Sequence, residues 1–174
     1  ENAGSIPDVK RLENKIYNAV ASYGYGLRVN LLQLLKAYNV FNNDGIIISP
    51  RIDLIRIDKD IPTRILNRRT VQDMKKILIR TVSEGTGKKA QTKGLEIGAK
   101  TGTAHIVENG KYVYKFNMSF VGFANDMKSR YTIAVLVRKP TNSMYASETA
   151  AIVFKKAVDI MVEESLLKPI YRAK

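Results

Sequence analysis

Residues 95–104 read Leu-Glu-Ile-Gly-Ala-Lys-Thr-Gly-Thr-Ala, and residues 111–124 read Lys-Tyr-Val-Tyr-Lys-Phe-Asn-Met-Ser-Phe-Val-Gly-Phe-Ala, with Glu108-Asn109-Gly110 just before the second run. Leu95, Ile97 and Ala99 recur every second residue, the period of a strand with one buried face. Tyr112, Tyr114, Phe116, Met118 and Phe120 recur in the same way, and Asn-Gly between two such runs is hairpin chemistry. After an Asn125-Asp126 turn, Tyr131 to Val137 is apolar on both faces, as expected of a strand covered from both sides. Pro140 closes the segment. These patterns predict three consecutive antiparallel strands over residues 95–104, 112–124 and 131–138.

Around these strands the period changes from 2 to 3.6. Downstream, Ser147 is placed to cap a helix with Ala151, Phe154, Val158, Met161 and Val162 on its inner face and Lys155, Lys156, Asp159 and Glu163 outside. Upstream, a helix over Val71, Met74, Ile77, Leu78 and Val82 is expected to start at a Thr70/Asp73 capping box and stop before Gly85-Thr86-Gly87. An earlier helix begins at the N-cap Asn30, carries Leu31, Leu34, Leu35, Tyr38 and Phe41, and ends at Asn43-Asp44-Gly45. Residues 8–22 read as weakly helical, and Tyr23-Gly24-Tyr25-Gly26 as a loop. Ile46 to Ile48 and Leu54 to Ile57 are short β-like runs split by Pro50. The class is therefore α+β: a three-stranded antiparallel sheet packed by a C-terminal helix and preceded by helices. Internal repeats and low-complexity tracts are lacking.

Composition narrows the chemistry. Among 174 residues, 29 Lys and Arg against 16 Asp and Glu leave a formal charge of +13, and 45% of residues are hydrophobic. That is globular composition, with no apolar run near the roughly 20 residues of a membrane span. Zero Cys excludes disulfides and a thiol nucleophile, and a single His removes multi-histidine metal sites, so no cofactor or metal is expected. The opening Glu1-Asn2-Ala3-Gly4-Ser5 is not a signal peptide, and a first residue other than Met points to a processed product or an excised segment. The basic excess suits nucleic acid, an anionic surface or a carboxylate-bearing substrate.

Lys100-Thr101-Gly102-Thr103 closes the first β pattern. Lys, then Ser or Thr, then Gly arises by chance in roughly one chain of this size in ten, so its weight comes from its position at the end of a strand. There it places an ammonium, a hydroxyl and a gap without a side chain along one strand edge. The Lys and Thr side chains can hold a carboxylate, glycine admits a substrate backbone, and the next N–H can meet an oxyanion.

The wider chain carries Tyr23-Gly24-Tyr25-Gly26-Leu27, Leu32-Gln33-Leu34 with Ala37-Tyr38, Gly85-Thr86-Gly87-Lys88-Lys89-Ala90, Ala99-Lys100-Thr101-Gly102-Thr103-Ala104 and Phe120-Val121-Gly122-Phe123-Ala124. In that order and spacing, over about residues 20–165, it resembles the C-terminal part of a class B penicillin-binding protein transpeptidase domain, more like the division-specific, septal type. The resemblance implies a penicillin-binding transpeptidase/serine β-lactamase-like fold, incomplete in this chain, with residues 1–174 as the C-terminal portion of one domain. Residues 1–94 would be its mainly helical part, and 95–164 the Lys-Thr-Gly strand, its partner strands and the final helix. It also implies the roles of the Lys-Thr-Gly motif. Lys100 would serve the proton and electrostatic network around a serine, the Thr101 hydroxyl would contact the substrate carboxylate, Gly102 would leave room for the peptide, and the Thr103 N–H would be one of two oxyanion donors. The implied reaction is acyl transfer from a D-Ala-D-Ala stem peptide to a neighbouring amine in peptidoglycan cross-linking, with penicillins and other β-lactams as mimics. Implied partners are the missing N-terminal part of the domain, a glycan polymerase and division proteins, at the periplasmic face of the bacterial cytoplasmic membrane.

The same comparison exposes departures. Ser-x-x-Lys and Ser-x-Asn should precede Lys-Thr-Gly, and neither occurs upstream of Lys100. Ser165-Leu166-Leu167-Lys168 follows the motif at a helix end before Pro169 and is not expected to be the nucleophile. The segment alone is therefore expected to be inactive. The family's Thr-Pro-Leu-Gln-Leu reads Asn30-Leu31-Leu32-Gln33-Leu34. His105 lacks a marked Ser and acid partner and reads as a partly exposed strand histidine, while Gly85-Thr86-Gly87-Lys88 lacks the rest of a phosphate loop and reads as a helix-ending loop near the substrate groove. Tyr112, Tyr114 and Phe116 read as core. The rival function, a basic nucleic-acid module stacking bases on that aromatic face, would reveal itself by a steep log-log salt dependence.

Overall fold

A computed structural model describes residues 4–50, 61–109 and 111–171, and the chain divides into two compact units, Glu1–Leu34 and Leu35–Lys174. The β-like run at Leu54 to Ile57 and the turn residue Gly110 lie outside the described residues. In the first unit, Asp8 caps α1 (Val9–Leu12) by accepting from the Arg11 N–H, and Asn14 caps α2 (Lys15–Ala21) by accepting from the Ile16 and Tyr17 N–H groups. Residues 23–26 form the expected loop, with Gly24 and Gly26 at φ of 102° and 78°. The Tyr17 hydroxyl donates to the Gly26 carbonyl at 3.0 Å and pins it. Asn30 opens α3 (Leu31–Asn42) with a reciprocal cap: its side chain accepts from the Gln33 N–H at 2.8 Å, and its own N–H donates to Gln33 Oε1 at 2.9 Å.

The second unit holds the sheet. β1 (Ile46–Ile47) pairs antiparallel with β2 (Thr63–Arg64), and Asn67 then caps α4 (Arg68–Ser83). This helix starts two residues before the expected Thr70, because the Asn67 side chain accepts the Thr70 N–H at 2.8 Å and so places Thr70 inside the first turn. Val71, Leu78 and Val82 are buried, whereas Ile77 is 57% exposed. At 100° per residue Ile77 falls about a third of a turn from the centre of that stripe.

β3 (Glu96–Glu108), β4 (Lys111–Asn125) and β5 (Arg130–Arg138) form one antiparallel sheet in the order β3-β4-β5, as the alternation predicts. Ala99 pairs with Gly122, Thr101 with Phe120 and Gly102 with Ser119. α5 (Ala150–Glu163) covers one face, where Phe154 meets Phe120 edge-on at 5.0 Å within a core that includes Ile97, Ala99, Met118 and Val158. Ser147 does not cap α5. It lies in a 3₁₀ turn, Ala146–Glu148, which buried Ala146 ties to the core, and Thr149 precedes the helix instead.

Two strand expectations change. Among the described residues β5 is an edge strand: Tyr131, Ile133, Val135 and Val137 pack toward α5, while Leu136 on the other face is 42% exposed. Tyr112 and Tyr114 are exposed rather than core, because the hairpin outruns α5. A register shift at His105/Ile106 leaves its far end as a small cluster in which the tilted His105 and Phe116 rings lie 4.5 Å apart.

Candidate active site

β3 positions Lys100, Thr101, Gly102 and Thr103 at one edge of the sheet, and the direction of each backbone group follows from the ladder. The Lys139 N–H donates to the Phe116 carbonyl at 2.9 Å, so even-numbered residues of this part of β4 turn their N–H and C=O toward β5 and odd-numbered ones toward β3. Through the register Gly102 to Ser119, Lys100 and Gly102 bond to β4, whereas Thr101 and Thr103 turn both backbone groups out of the sheet. The Lys100 ammonium confirms this direction by donating to the Thr101 carbonyl at 2.9 Å from outside. Lys100 and Thr103 are exposed and Thr101 is half-buried.

Three polar side-chain atoms converge here. Lys100 Nζ lies 3.4 Å from Thr101 Oγ1, and Thr86 Oγ1 lies 3.1 Å from the same hydroxyl. An ammonium, two hydroxyls and an outward N–H two residues on make a cationic, donor-rich edge suited to a carboxylate and to an extended backbone. A Cβ on Gly102 would overlap the Ser119 hydroxyl of β4, so that glycine also keeps the neighbouring strand's side chain close beneath the edge.

Packing fixes the edge. Gly122 sits against Gly98 and Ala99, immediately before Lys100, where a side chain would overlap the β3 backbone. Lys75 of α4 reaches Glu96 at 2.7 Å and lies 5.1 Å from the Phe123 ring centre, clamping the helix to both strands.

The remaining candidates lie elsewhere. Ser165, at φ of 58° just past α5, lines a cavity of about 340 Å³ with the Asp126–Ser129 turn. Asp126 adjoins the Asn125/Glu96 pair, and Glu96 is four residues or about 13 Å along β3 from Lys100. Asp126 accepts from the N–H groups of Ser129, Lys128 and Lys168 at 2.6–2.7 Å, and these bonds hold its carboxyl below the usual carboxylate range. His105 is an exposed strand residue with its Nδ1 3.4 Å from the Val113 carbonyl. Among the described residues no group of His, Asp and Glu is arranged to hold a metal, and no helix is long and apolar enough to cross a membrane. Sequence reasoning placed the Gly85-Thr86-Gly87 loop near the groove but missed Thr86 as a site residue; the only signal was a lone polar residue between two glycines.

Residues 1–159 match the family of the penicillin binding protein transpeptidase domain. A probable peptidoglycan D,D-transpeptidase PenA of Neisseria flavescens is 34% identical over 91% of this chain and 40% of its own length. The peptidoglycan D,D-transpeptidase FtsI of Buchnera aphidicola subsp. Schizaphis graminum is 28% identical over 97% of this chain and 30% of its own. The chain thus spans less than half the length of these curated relatives. The apo transpeptidase domain of Burkholderia pseudomallei penicillin-binding protein 3 superposes with a TM-score of 0.82 at 30% identity, covering 97% of this chain and 52% of that one.

Proposed function

Because the chain belongs to the penicillin-binding protein transpeptidase family, in its class B, septal-type branch, we propose that it forms the substrate-strand portion of a peptidoglycan D,D-transpeptidase. On this reading residues 1–174 are the C-terminal portion of one domain, and the nucleophilic serine lies outside them. The observation that carries the reading is the edge itself: Lys100, Thr101 and the outward Thr103 N–H within four consecutive residues of one strand.

The division of labour follows from the chemistry of each group. A stem peptide ending in D-Ala-D-Ala lies beside β3 as an added strand, bonding to the outward backbone of Thr101 and Thr103. Its terminal carboxylate accepts from the Thr101 hydroxyl, and the Lys100 ammonium supplies positive potential beside it. Serine attack on the penultimate carbonyl builds an oxyanion that the Thr103 N–H stabilises, and Gly102 keeps that stretch clear of a side chain. D-Ala departs, and an amine of a neighbouring stem peptide takes the acyl group. Penicillins and other β-lactams present the same carboxylate and a reactive amide, so they acylate the same serine. The intact protein acts at the periplasmic face of the bacterial cytoplasmic membrane, beside a glycan polymerase and division proteins.

The test uses the intact protein and stopped-flow acylation by a fluorescent penicillin. Lys100→Ala should slow acylation by about 10²-fold, the scale of one lost electrostatic stabiliser, and Thr101→Val by about tenfold, the scale of one lost charged hydrogen bond. Both should keep the parental melting temperature, since Lys100 is exposed and Val keeps the shape of the half-buried Thr101 side chain. Unchanged rates in both variants would refute the assignment.

A further inference from the structure

Thr86 plays no part in the chemistry above, yet the fold goes to some length to deliver its hydroxyl. The Gly85 N–H donates to the Arg80 carbonyl at 3.2 Å and the Gly87 N–H to the Thr81 carbonyl at 2.9 Å, folding the loop back over the end of α4. A Cβ at Gly85 or Gly87 would lie 2.9 or 3.1 Å from that Thr81 oxygen, so a side chain at either position would push the loop away. Thr86 is the residue held between them, and its hydroxyl ends 3.1 Å from that of Thr101.

We propose that Thr86 is a positioning residue that aims the Thr101 hydroxyl proton at the substrate carboxylate. The proposal rests on reading Lys100 to Thr103 as the substrate strand, and its argument is a count of donors. A hydroxyl has one proton and two lone pairs, an ammonium only donates, and a carboxylate only accepts. Lys100 Nζ, 3.4 Å away, occupies one lone pair of Thr101 Oγ1. The single Thr101 proton must point at the carboxylate. Thr86 therefore donates into the second lone pair, which fixes the rotor of Thr101 and adds to the donor strength of its O–H. Without Thr86 the Thr101 proton is free to turn toward solvent, and part of each encounter meets a lone pair instead of a donor.

The experiment is a double-mutant cycle in the intact protein, read by acylation with a penicillin and with its methyl ester. Thr86→Val, nearly isosteric, should slow acylation by the free acid about fivefold, the scale of one neutral hydrogen bond, at an unchanged melting temperature. Thr86→Ser should restore the rate to within about twofold. With Thr101→Val already present, Thr86→Val should cost nothing further. The ester, whose carbonyl is a weaker acceptor than a carboxylate, should lose less than twofold in Thr86→Val. An undiminished rate in Thr86→Val, an equal loss in both backgrounds, or an equal loss with the ester would each overturn the proposal. If Lys100→Ala and Thr101→Val both leave acylation unchanged, the strand reading falls and Thr86 with it; an unchanged rate in Thr101→Val alone overturns the role of Thr86. A slow Thr101→Val beside a normal Thr86→Val overturns the role of Thr86 alone.

Discussion

Gly122→Ala asks whether the site edge is held by close approach of two strands. Gly122 is not among the residues with positive φ, so its backbone needs no glycine for conformational reasons. It needs one for space: an added methyl would overlap the Gly98 carbonyl oxygen and lie 2.5 Å from the Ala99 Cα, against the 3.4 Å at which ordinary contacts begin. These are backbone atoms, which cannot rotate away, so β3 must retreat from β4 by about 1 Å. Overpacking of this kind costs about 1–3 kcal/mol, equivalent to a fall in melting temperature of about 2–12 °C for a domain of this size and less for a longer chain. Ala99 is bonded directly to Lys100, so the displacement passes to the edge, where a 1 Å misplacement costs about 10²-fold in rate. Differential scanning fluorimetry and penicillin acylation of the intact protein measure the two effects. Gly24→Ala is the control: no atom lies within 4 Å of its added methyl and only its φ of 102° is strained, so acylation should stay normal. A Gly122→Ala protein with parental melting temperature and rate would refute the close-approach argument.

Phe154→Ala removes a fully buried ring packed on Phe120 and should cost about 3–5 kcal/mol in a urea titration; a loss below 1 kcal/mol would mean that α5 does not anchor the sheet. This chain purified alone should form no covalent adduct with a fluorescent penicillin, because edge donors stabilise a transition state only when a nucleophile reaches it; a penicilloyl mass increase mapped to Ser165 would sink that expectation. Asp126 has its folded pKa depressed by the Ser129, Lys128 and Lys168 N–H groups, so its stabilisation is complete above the unfolded value of about 3.9 and fades as pH falls through the lower folded value. The stability gap between parent and Asp126→Asn should accordingly be constant near neutrality and close in that acid range, and a gap independent of pH would contradict the role of the carboxylate.

The strands and their order were legible because each alternation has a single buried solution: Leu95, Ile97 and Ala99 face α5, and so do Met118 and Phe120. The placement of Lys100 to Thr103 on a strand was legible for the same reason, since a strand fixes which of four consecutive residues turn outward. What escaped sequence reasoning depends on partners distant in the chain. Asn67 outcompetes Thr70 as a cap because the chain enters α4 from β2, and Ser147 loses its capping role because Ala146 is drawn into the core. The aromatic run of β4 looks uniform in sequence, yet only its inner half lies over α5, so Met118 and Phe120 are buried while Tyr112 and Tyr114 are not. Thr86 was invisible because its meaning lies in a hydroxyl fifteen residues away, and the two glycines that deliver it also read as an ordinary loop.

A long strand with one unpaired side is ordinarily a hazard, because its free N–H and C=O groups accept any extended segment. β3 has thirteen residues, and among the described residues its outer side is unpaired by another strand. Placing Lys100 on that edge changes which segments are accepted. Its ammonium already donates to the outward Thr101 carbonyl, so an incoming backbone N–H competes with a charged donor for that oxygen. A segment with no negative charge regains one neutral hydrogen bond for the charge-assisted one it removes, and pairing is disfavoured. A segment that ends in a carboxylate returns a charged partner to the ammonium and gains the Thr101 hydroxyl as well. On the proposed reading the edge would therefore favour a chain terminus over an internal stretch of peptide: backbone pairing would supply affinity, and the lysine discrimination.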